Sequence, residues 1–278
     1  MPRFAANLTM MFTELPFLER FAAARRAGFD AVEFLFPYAF EAGQLADALG
    51  TQGLELVLHN LPAGDWDAGE RGIACHPGRI GEFRAGVERA IAYATALGCP
   101  RLNCLAGVLP PGGDAGEARR TLVGNLRHAA AALADAGIVL LIEPVNTRDV
   151  PGFFVNRTDK ALAIMDEAGS ANLQLQFDIY HTQVMQGDLM PAITAAFDRI
   201  GHLQVADNPG RHEPGTGEIN YPYLFGRLDD LGYAGWIGCE YKPRATTEAG
   251  LDWFAPYRAA SAGAASPRPS SSDFGANA

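Results

Sequence analysis

A short apolar run followed by a helical pattern occurs eight times along this chain. The helical pattern is clearest at Phe83, Val87 and Ala90, which recur at i, i+4 and i+7. The predicted strands are residues 4–8, 31–35, 54–59, 101–105, 139–142, 173–178, 200–206 and 236–241. The helix after the sixth strand is predicted around residues 189–197, and a last helix over about residues 247–257. Eight strand–helix units predict a (β/α)8 TIM barrel, whose functional site lies at the C-terminal ends of the strands. An open doubly wound sheet is the alternative, but no Gly-x-Gly-x-x-Gly follows any strand to support it.

The repeat ends before the chain does. It predicts a single α/β catalytic domain over residues 1–258. From about Ala259 the sequence is rich in Ala, Ser, Pro and Gly without periodicity. Residues 259–278 are therefore predicted to form a disordered C-terminal tail.

Charge and composition limit the classes of partner. The net charge of −10 disfavours a nucleic-acid groove, which needs clustered Lys and Arg. The four cysteines show no Cys-x-x-Cys spacing. There is no signal-peptide pattern at the N-terminus and no run approaching the roughly 18 apolar residues of a membrane span. We expect a cytoplasmic protein with a small-molecule substrate and with neither nucleic acid nor a membrane as partner; a homo-oligomer is left open.

Polar residues end four consecutive predicted strands. Residues 139–142 are apolar, Glu143 follows, and Pro144 stops the strand. A carboxylate there is costly to bury unless it is paired or bound to a metal. The other three are Asp178, Gln204 and Glu240, each about one strand–helix unit further along.

A single acid at a strand end is more often a loop cap or half of an ion pair. Three carboxylates that converge without a cation would repel one another and raise their pKa values. Carboxylate and amide oxygens are hard ligands, which favours Mg²⁺ or Mn²⁺ over zinc. The four strand ends therefore predict a divalent-metal site.

Several motifs make the chain resemble the xylose-isomerase-like barrel superfamily and, within it, the hydroxypyruvate isomerase family. They are residues 142–146 (IEPVN), 178–181 (DIYH), 202–207 (HLQVAD), 213–219 (EPGTGEI) and 238–241 (GCEY), together with 34–38 and the loop from 59 to 75. The resemblance covers roughly residues 3–258. It implies a TIM barrel that isomerises a small keto-acid.

The resemblance also implies roles for the four strand-end residues. Glu143, Asp178, Gln204 and Glu240 would be the metal ligands, with Glu143 and Glu240 as the pair that donates and accepts protons. Related sugar epimerases usually place histidine where this chain has Gln204, which leaves metal preference open. The implied reaction interconverts hydroxypyruvate and 2-hydroxy-3-oxopropanoate (tartronate semialdehyde), an aldose–ketose type of isomerisation, through an enediolate that a divalent ion stabilises as a Lewis acid.

Five further residues are candidates for binding the substrate. A carboxylate substrate needs a cation, and Lys242 points to the same side as Glu240 if the strand persists. The other candidates are Arg71, His181, Glu70 and His59, the last two being the weaker. The alternative for Lys242 and Arg71 is a solvated position on the surface. The alternative for His181 is a structural hydrogen bond.

Three other functions remain open from the sequence. A 2-oxo-tetronate isomerase or ketose epimerase would use the same metal and glutamates. A metal-dependent DNA-repair nuclease on the same barrel would need a histidine-rich cluster, whereas the six histidines here are dispersed. A binding protein without turnover is the third, and the intact Glu143 and Glu240 argue against it.

Overall fold

Eight parallel strands close into a barrel. The computed structural model describes residues 1–261. Strand pairing follows chain order, and the first strand pairs with the last in parallel. The strands are β1 Arg3–Asn7, β2 Ala31–Glu33, β3 Glu55–Asn60, β4 Arg101–Cys104, β5 Val139–Ile142, β6 Leu173–Asp178, β7 Ile200–Val205 and β8 Trp236–Cys239. The predicted (β/α)8 barrel is confirmed.

Helices follow the strands and cover the outside of the barrel. The α-helices are α1 Arg20–Arg26, α2 Ala42–Gln52, α3 Ile80–Leu97, α4 Ala115–Asp135, α5 Thr158–Ala168, α6 Ile179–Met185, α7 Leu189–Ala196, α8 Tyr221–Asp230 and α9 Ala255–Ser261. Short 3-10 helices lie at Phe17–Glu19, Pro77–Arg79, Phe197–Arg199, Glu248–Gly250 and Asp252–Phe254. None of the helices within residues 1–261 is both long and apolar enough to cross a membrane.

Local sequence signals explain where the helices begin and end. The side chains of Glu41 and Gln44 form a reciprocal capping box at the start of α2. Gly53 ends that helix with φ 61°, a left-handed conformation that glycine adopts without strain. The predicted apolar stripe of α3 is buried against the barrel, including Phe83 and Val87.

Two parts of the chain differ from the sequence prediction. Helix α6 begins directly after β6, because the Asp178 side chain accepts a hydrogen bond from the His181 backbone N–H at 3.0 Å and caps the helix. The predicted last helix over 247–257 is two 3-10 turns followed by α9. Helix α9 extends to Ser261, and the remainder of the predicted tail lies outside the described residues.

The barrel interior changes from apolar to polar along the strands. Its lower end holds a small apolar cluster that includes Ala5, Leu141 and Trp236. Above this cluster the buried residues on the strands are polar: Asn7, Glu33, Asn60, Asn103, Gln176, His202 and Gln204. This polar layer lies beneath the strand ends that carry Glu143, Asp178 and Glu240.

Candidate metal centre and active site

The three predicted acids meet at the C-terminal end of the barrel. Glu143 follows β5, Asp178 ends β6 and Glu240 follows β8. All three are buried, with exposed fractions of 5%, 1% and 5% respectively. Glu143 and Glu240 also line a cavity of about 710 Å³ at this end, within the roughly 300–1,000 Å³ typical of small-molecule sites.

His181 joins two of these carboxylates. Its Nε2 lies 3.7 Å from Glu143 Oε1 and 3.7 Å from Asp178 Oδ2. Donor atoms of the three residues all lie within 4.8 Å of one another, a grouping that could hold a metal ion. Helix α6 places His181 there, since it begins at Asp178 and positions His181 one turn later. The side chain that sequence reasoning assigned to the substrate therefore lies at the acidic cluster itself.

Arg211 supplies the positive charge nearest to the acids. Its Nη2 lies 3.2 Å from Glu240 Oε2 and 3.5 Å from Asp178 Oδ2. Arg211 adopts a left-handed backbone conformation, with φ 57°. The loop that carries it is held by Asp207, whose carboxylate accepts hydrogen bonds from four backbone N–H groups at 2.9–3.1 Å. Sequence reasoning did not single out Arg211, although its position in the loop after β7 was a usable signal.

The Gln204 amide forms its hydrogen bonds with the polar layer beneath the acids. Its neighbour across the β6–β7 ladder is Asp178, so the two side chains leave adjacent strands at the same level. The Gln204 amide donates to Glu33 Oε1 at 2.8 Å and accepts from Gln176 Nε2 at 2.7 Å. Its oxygen retains a second lone pair that a cation could use.

Burial and mutual repulsion raise the pKa values of both glutamates. For Glu143, burial is the larger cause, followed by the nearby carboxylates of Glu240 and Asp178, and its pKa lies well above the ordinary value. For Glu240, burial raises the pKa to about 8 although Arg211 opposes the shift. Burial lowers the pKa of His181 to about 4, which leaves its imidazole neutral and able to act as a ligand.

The donor set fits a divalent cation. Asp178 Oδ2 and Glu240 Oε2 are buried, and among the described residues their nearest cation is Arg211 at 3.5 and 3.2 Å, which forms no well-aligned hydrogen bond with either atom. Such atoms are costly to bury unless something else satisfies them. Carboxylates with raised pKa values around one point are what a bound cation would stabilise. The residues that could hold it are Glu143, Asp178 and Glu240, with His181 or the Gln204 oxygen completing the set.

Cationic side chains line the cavity wall. Arg71 and Lys242 both belong to the lining. Arg71 stacks on the Trp66 ring with its guanidinium carbon 4.1 Å from the ring centre. It also donates to the Trp66 and Glu70 backbone carbonyls at 3.0 and 2.7 Å. Two further lining cations, Arg148 and Arg211, were not singled out from the sequence.

The structure does not bring two of the candidates, His59 and Glu70, to the cavity. Asn60 lines the cavity, and successive strand residues face opposite sides. His59 therefore points into the helix layer, where it packs near the Phe34 and Tyr38 rings at 6.4 and 6.0 Å. Glu70 instead pairs with Arg79.

Comparisons with known proteins agree on the fold, and the curated relatives agree on the enzyme class. The chain is 55% identical over 258 residues to a hydroxypyruvate isomerase of Escherichia coli (strain K12), covering 93% of this chain and 100% of the relative. It is 53% identical over 257 residues to a 2-oxo-tetronate isomerase of Cupriavidus necator, covering 92% and 99% respectively. A crystal structure described as an AP endonuclease, family 2, from Brucella melitensis superposes with a TM-score of 0.91 at 50% identity, covering 93% of this chain and 100% of that chain.

Both curated relatives are isomerases, and at this identity and coverage the protein is an isomerase enzyme. The family described as "Xylose isomerase-like TIM barrel" matches residues 21–257. The match covers most of the chain and coincides with the closed eight-stranded barrel. The chain therefore belongs to the xylose isomerase-like TIM barrel family.

Proposed function

We propose that this enzyme is a divalent-metal-dependent isomerase that interconverts hydroxypyruvate and 2-hydroxy-3-oxopropanoate. One observation carries the proposal: two buried glutamates, Glu143 and Glu240, line the same cavity, and burial raises the proton affinity of both. They stand at the ends of β5 and β8, so two intervening strands separate them around the barrel mouth. A pair of this kind can exchange protons with a substrate bound between them.

The reaction needs one proton to leave a carbon and one to arrive at its neighbour. As a carboxylate, one glutamate removes a proton from the hydroxymethyl carbon of hydroxypyruvate, which leaves an enediolate across the two carbons. The other glutamate, in its acid form, delivers a proton to the former carbonyl carbon. The hydroxyl proton passes from the former hydroxyl oxygen, which becomes the aldehyde oxygen, to the former carbonyl oxygen, which becomes a hydroxyl.

Mg²⁺ or Mn²⁺ is the proposed cofactor, held by Glu143, Asp178, Gln204 and Glu240. When bound, it would act as a Lewis acid that stabilises the negative charge of the enediolate. Asp178 supports this arrangement in a second way, because its Oδ1 caps α6 and so holds His181 beside the cluster. The neutral His181 can donate a hydrogen bond to a substrate oxygen or serve as a further ligand.

The substrate carboxylate requires a positive partner inside the cavity. Arg211 and Lys242 are adjacent in space, since the Lys242 backbone N–H donates to the Arg211 carbonyl at 2.8 Å. Arg71 faces the same cavity from the loop after β3. We assign carboxylate binding to these cations, with Arg211 foremost because it reaches the catalytic acids. Glu70 and His59 remain weaker proposals, since neither lines the cavity.

A four-carbon 2-oxo acid is the alternative substrate, and the relative named 2-oxo-tetronate isomerase supports it. The net charge of −10 does not favour a nucleic-acid substrate. The test is turnover of three-carbon and four-carbon 2-oxo acids by the Mn²⁺-loaded enzyme, followed by proton NMR. Higher kcat/KM on hydroxypyruvate supports the proposal, higher kcat/KM on the tetronate assigns the alternative, and turnover of neither acid refutes both.

A further inference from the structure

Glu33 lies beneath the acidic cluster and is fully buried, with 0% of its surface exposed. Three side chains contact its carboxylate. Asn7 Nδ2 donates to Oε1 at 2.9 Å, and His202 Nε2 lies 2.7 Å from Oε2. The third is Gln204 Nε2, which donates to Oε1 at 2.8 Å.

The contact with Gln204 determines which way that amide faces. The Glu33 oxygen accepts the hydrogen bond, so the amide group that faces Glu33 is the NH₂. The carbonyl oxygen then lies at the other end, where Gln176 donates to it at 2.7 Å. If the amide turned over, its NH₂ would take the place of the oxygen, and an NH₂ group cannot bind a cation.

The surroundings hold Glu33 in this position. A Cβ on Gly238, the residue paired with Gln204 across the β7–β8 ladder, would overlap the Glu33 carboxyl group. The absence of a side chain at Gly238 leaves the space that Glu33 occupies. Asn7, from the neighbouring strand β1, and His202, from β7, then fix the carboxylate from two further directions.

The geometry points to Glu33 as a positioning residue that fixes the Gln204 amide with its oxygen available to the divalent cation. This inference rests on the proposed function, because it takes Gln204 as a metal ligand. Glu33 touches neither substrate nor cation and acts through Gln204. A glutamine ligand needs such a partner, since its NH₂ group takes the place of its oxygen when the amide turns over.

The first test measures Mn²⁺ affinity of the metal-free protein by isothermal titration calorimetry. Glu33→Gln keeps the size of the side chain but can donate to the Gln204 oxygen and so allow the amide to turn over. We expect Mn²⁺ to bind about 10- to 100-fold more weakly, the usual effect of removing a residue that orients a ligand. Glu55→Gln is the control for the same chemical change, because Glu55 is an exposed strand carboxylate that accepts from Trp236 Nε1 at 3.2 Å and lies at the opposite end of the barrel. It should leave the affinity unchanged.

A double-mutant cycle separates positioning from a general structural role. In the Gln204→Glu background, residue 204 presents a carboxylate oxygen whichever way it turns. Glu33→Gln should then cause no loss of Mn²⁺ affinity, because orientation no longer matters. If Glu33 merely supports the fold, the same loss appears in both backgrounds.

The outcomes also separate this inference from the proposed function. Unchanged affinity of Glu33→Gln, or an equal loss in both backgrounds, overturns the positioning role even if the wild-type enzyme is an isomerase. A wild-type protein that does not bind Mn²⁺ overturns both. If the double-mutant cycle gives the expected result but the wild-type enzyme does not isomerise the keto-acid, only the proposed function is overturned. If Glu33→Gln does not fold, a crystal structure of the wild-type protein with Mn²⁺ decides. A Gln204 oxygen bound to the metal, with the Gln204 nitrogen at Glu33, supports the positioning role. Any other arrangement of Gln204 overturns it.

Discussion

Binding of a divalent cation to the metal-free protein should release protons. Burial and the neighbouring acids raise the pKa of Glu240 to about 8 and that of Glu143 well above its ordinary value. A bound cation favours the ionised carboxylates, so the protons that these groups hold must leave. The direction of the effect is therefore tighter binding at higher pH.

The pKa of Glu240 sets the size of this release. At pH 7 a group with a pKa of about 8 is about 90% protonated, so Glu240 alone should release about 0.9 proton per cation, and at pH 9 only about 0.1. The raised pKa of Glu143 acts in the same direction. Between pH 6 and 8 the apparent Mn²⁺ affinity should rise about tenfold per pH unit for each proton released, or about 1.4 kcal/mol.

Calorimetry measures this release directly. Mn²⁺ titrations at pH 7 in two buffers of different ionisation enthalpy give the number of protons transferred to the buffer. Glu240→Gln is the matched variant, because its amide carries no titratable proton, and it should lower the count. A wild-type count near zero at pH 7 would refute the reasoning that these acids hold protons until a cation arrives.

Three further predictions follow from the same site. Glu143→Gln should lower kcat by roughly 10²- to 10⁴-fold at saturating Mn²⁺, because general acid–base catalysis is lost; unchanged isomerisation would remove Glu143 from the mechanism. Arg211→Met should raise KM for the keto-acid by roughly 10- to 100-fold, the effect of losing a charge-assisted hydrogen bond. The control variant Arg227→Met on α8 should leave KM unchanged. An unchanged KM in Arg211→Met would contradict carboxylate binding by Arg211. In the presence of chelator, the free energy of unfolding measured with urea should fall as pH rises from about 4.5 to 8. The reason is that the folded protein binds a proton at Glu240 more tightly than the unfolded chain does. A rise in the free energy of unfolding over that range would contradict the raised pKa of Glu240.

The barrel and its strand-end acids could be predicted because both follow from local sequence patterns. Each strand is a short apolar run, and each unit repeats the same order of strand and helix. In a parallel barrel all strands end at one mouth, so polar residues such as Glu143 and Asp178 at successive strand ends must converge. The structure adds that the acids are buried and close enough to perturb one another.

The remainder of the site depends on contacts between distant parts of the chain. Arg211 reaches the acids through the conformation of an irregular loop, which Asp207 holds through backbone groups. Glu33 could be placed in a strand from the sequence, but its partner His202 lies 169 residues away. His59 lies away from the cavity for a simpler reason. A shift of one residue along a strand moves a side chain to the opposite face.

The central claim is that a divalent cation and two glutamates together carry out the isomerisation. The most direct measurement is metal analysis of the purified protein combined with an assay on hydroxypyruvate before chelation, after chelation and after restoring Mg²⁺ or Mn²⁺. We expect the activity to disappear when the metal is removed and to return when the metal is restored. Full activity in protein shown to be free of metal would contradict it.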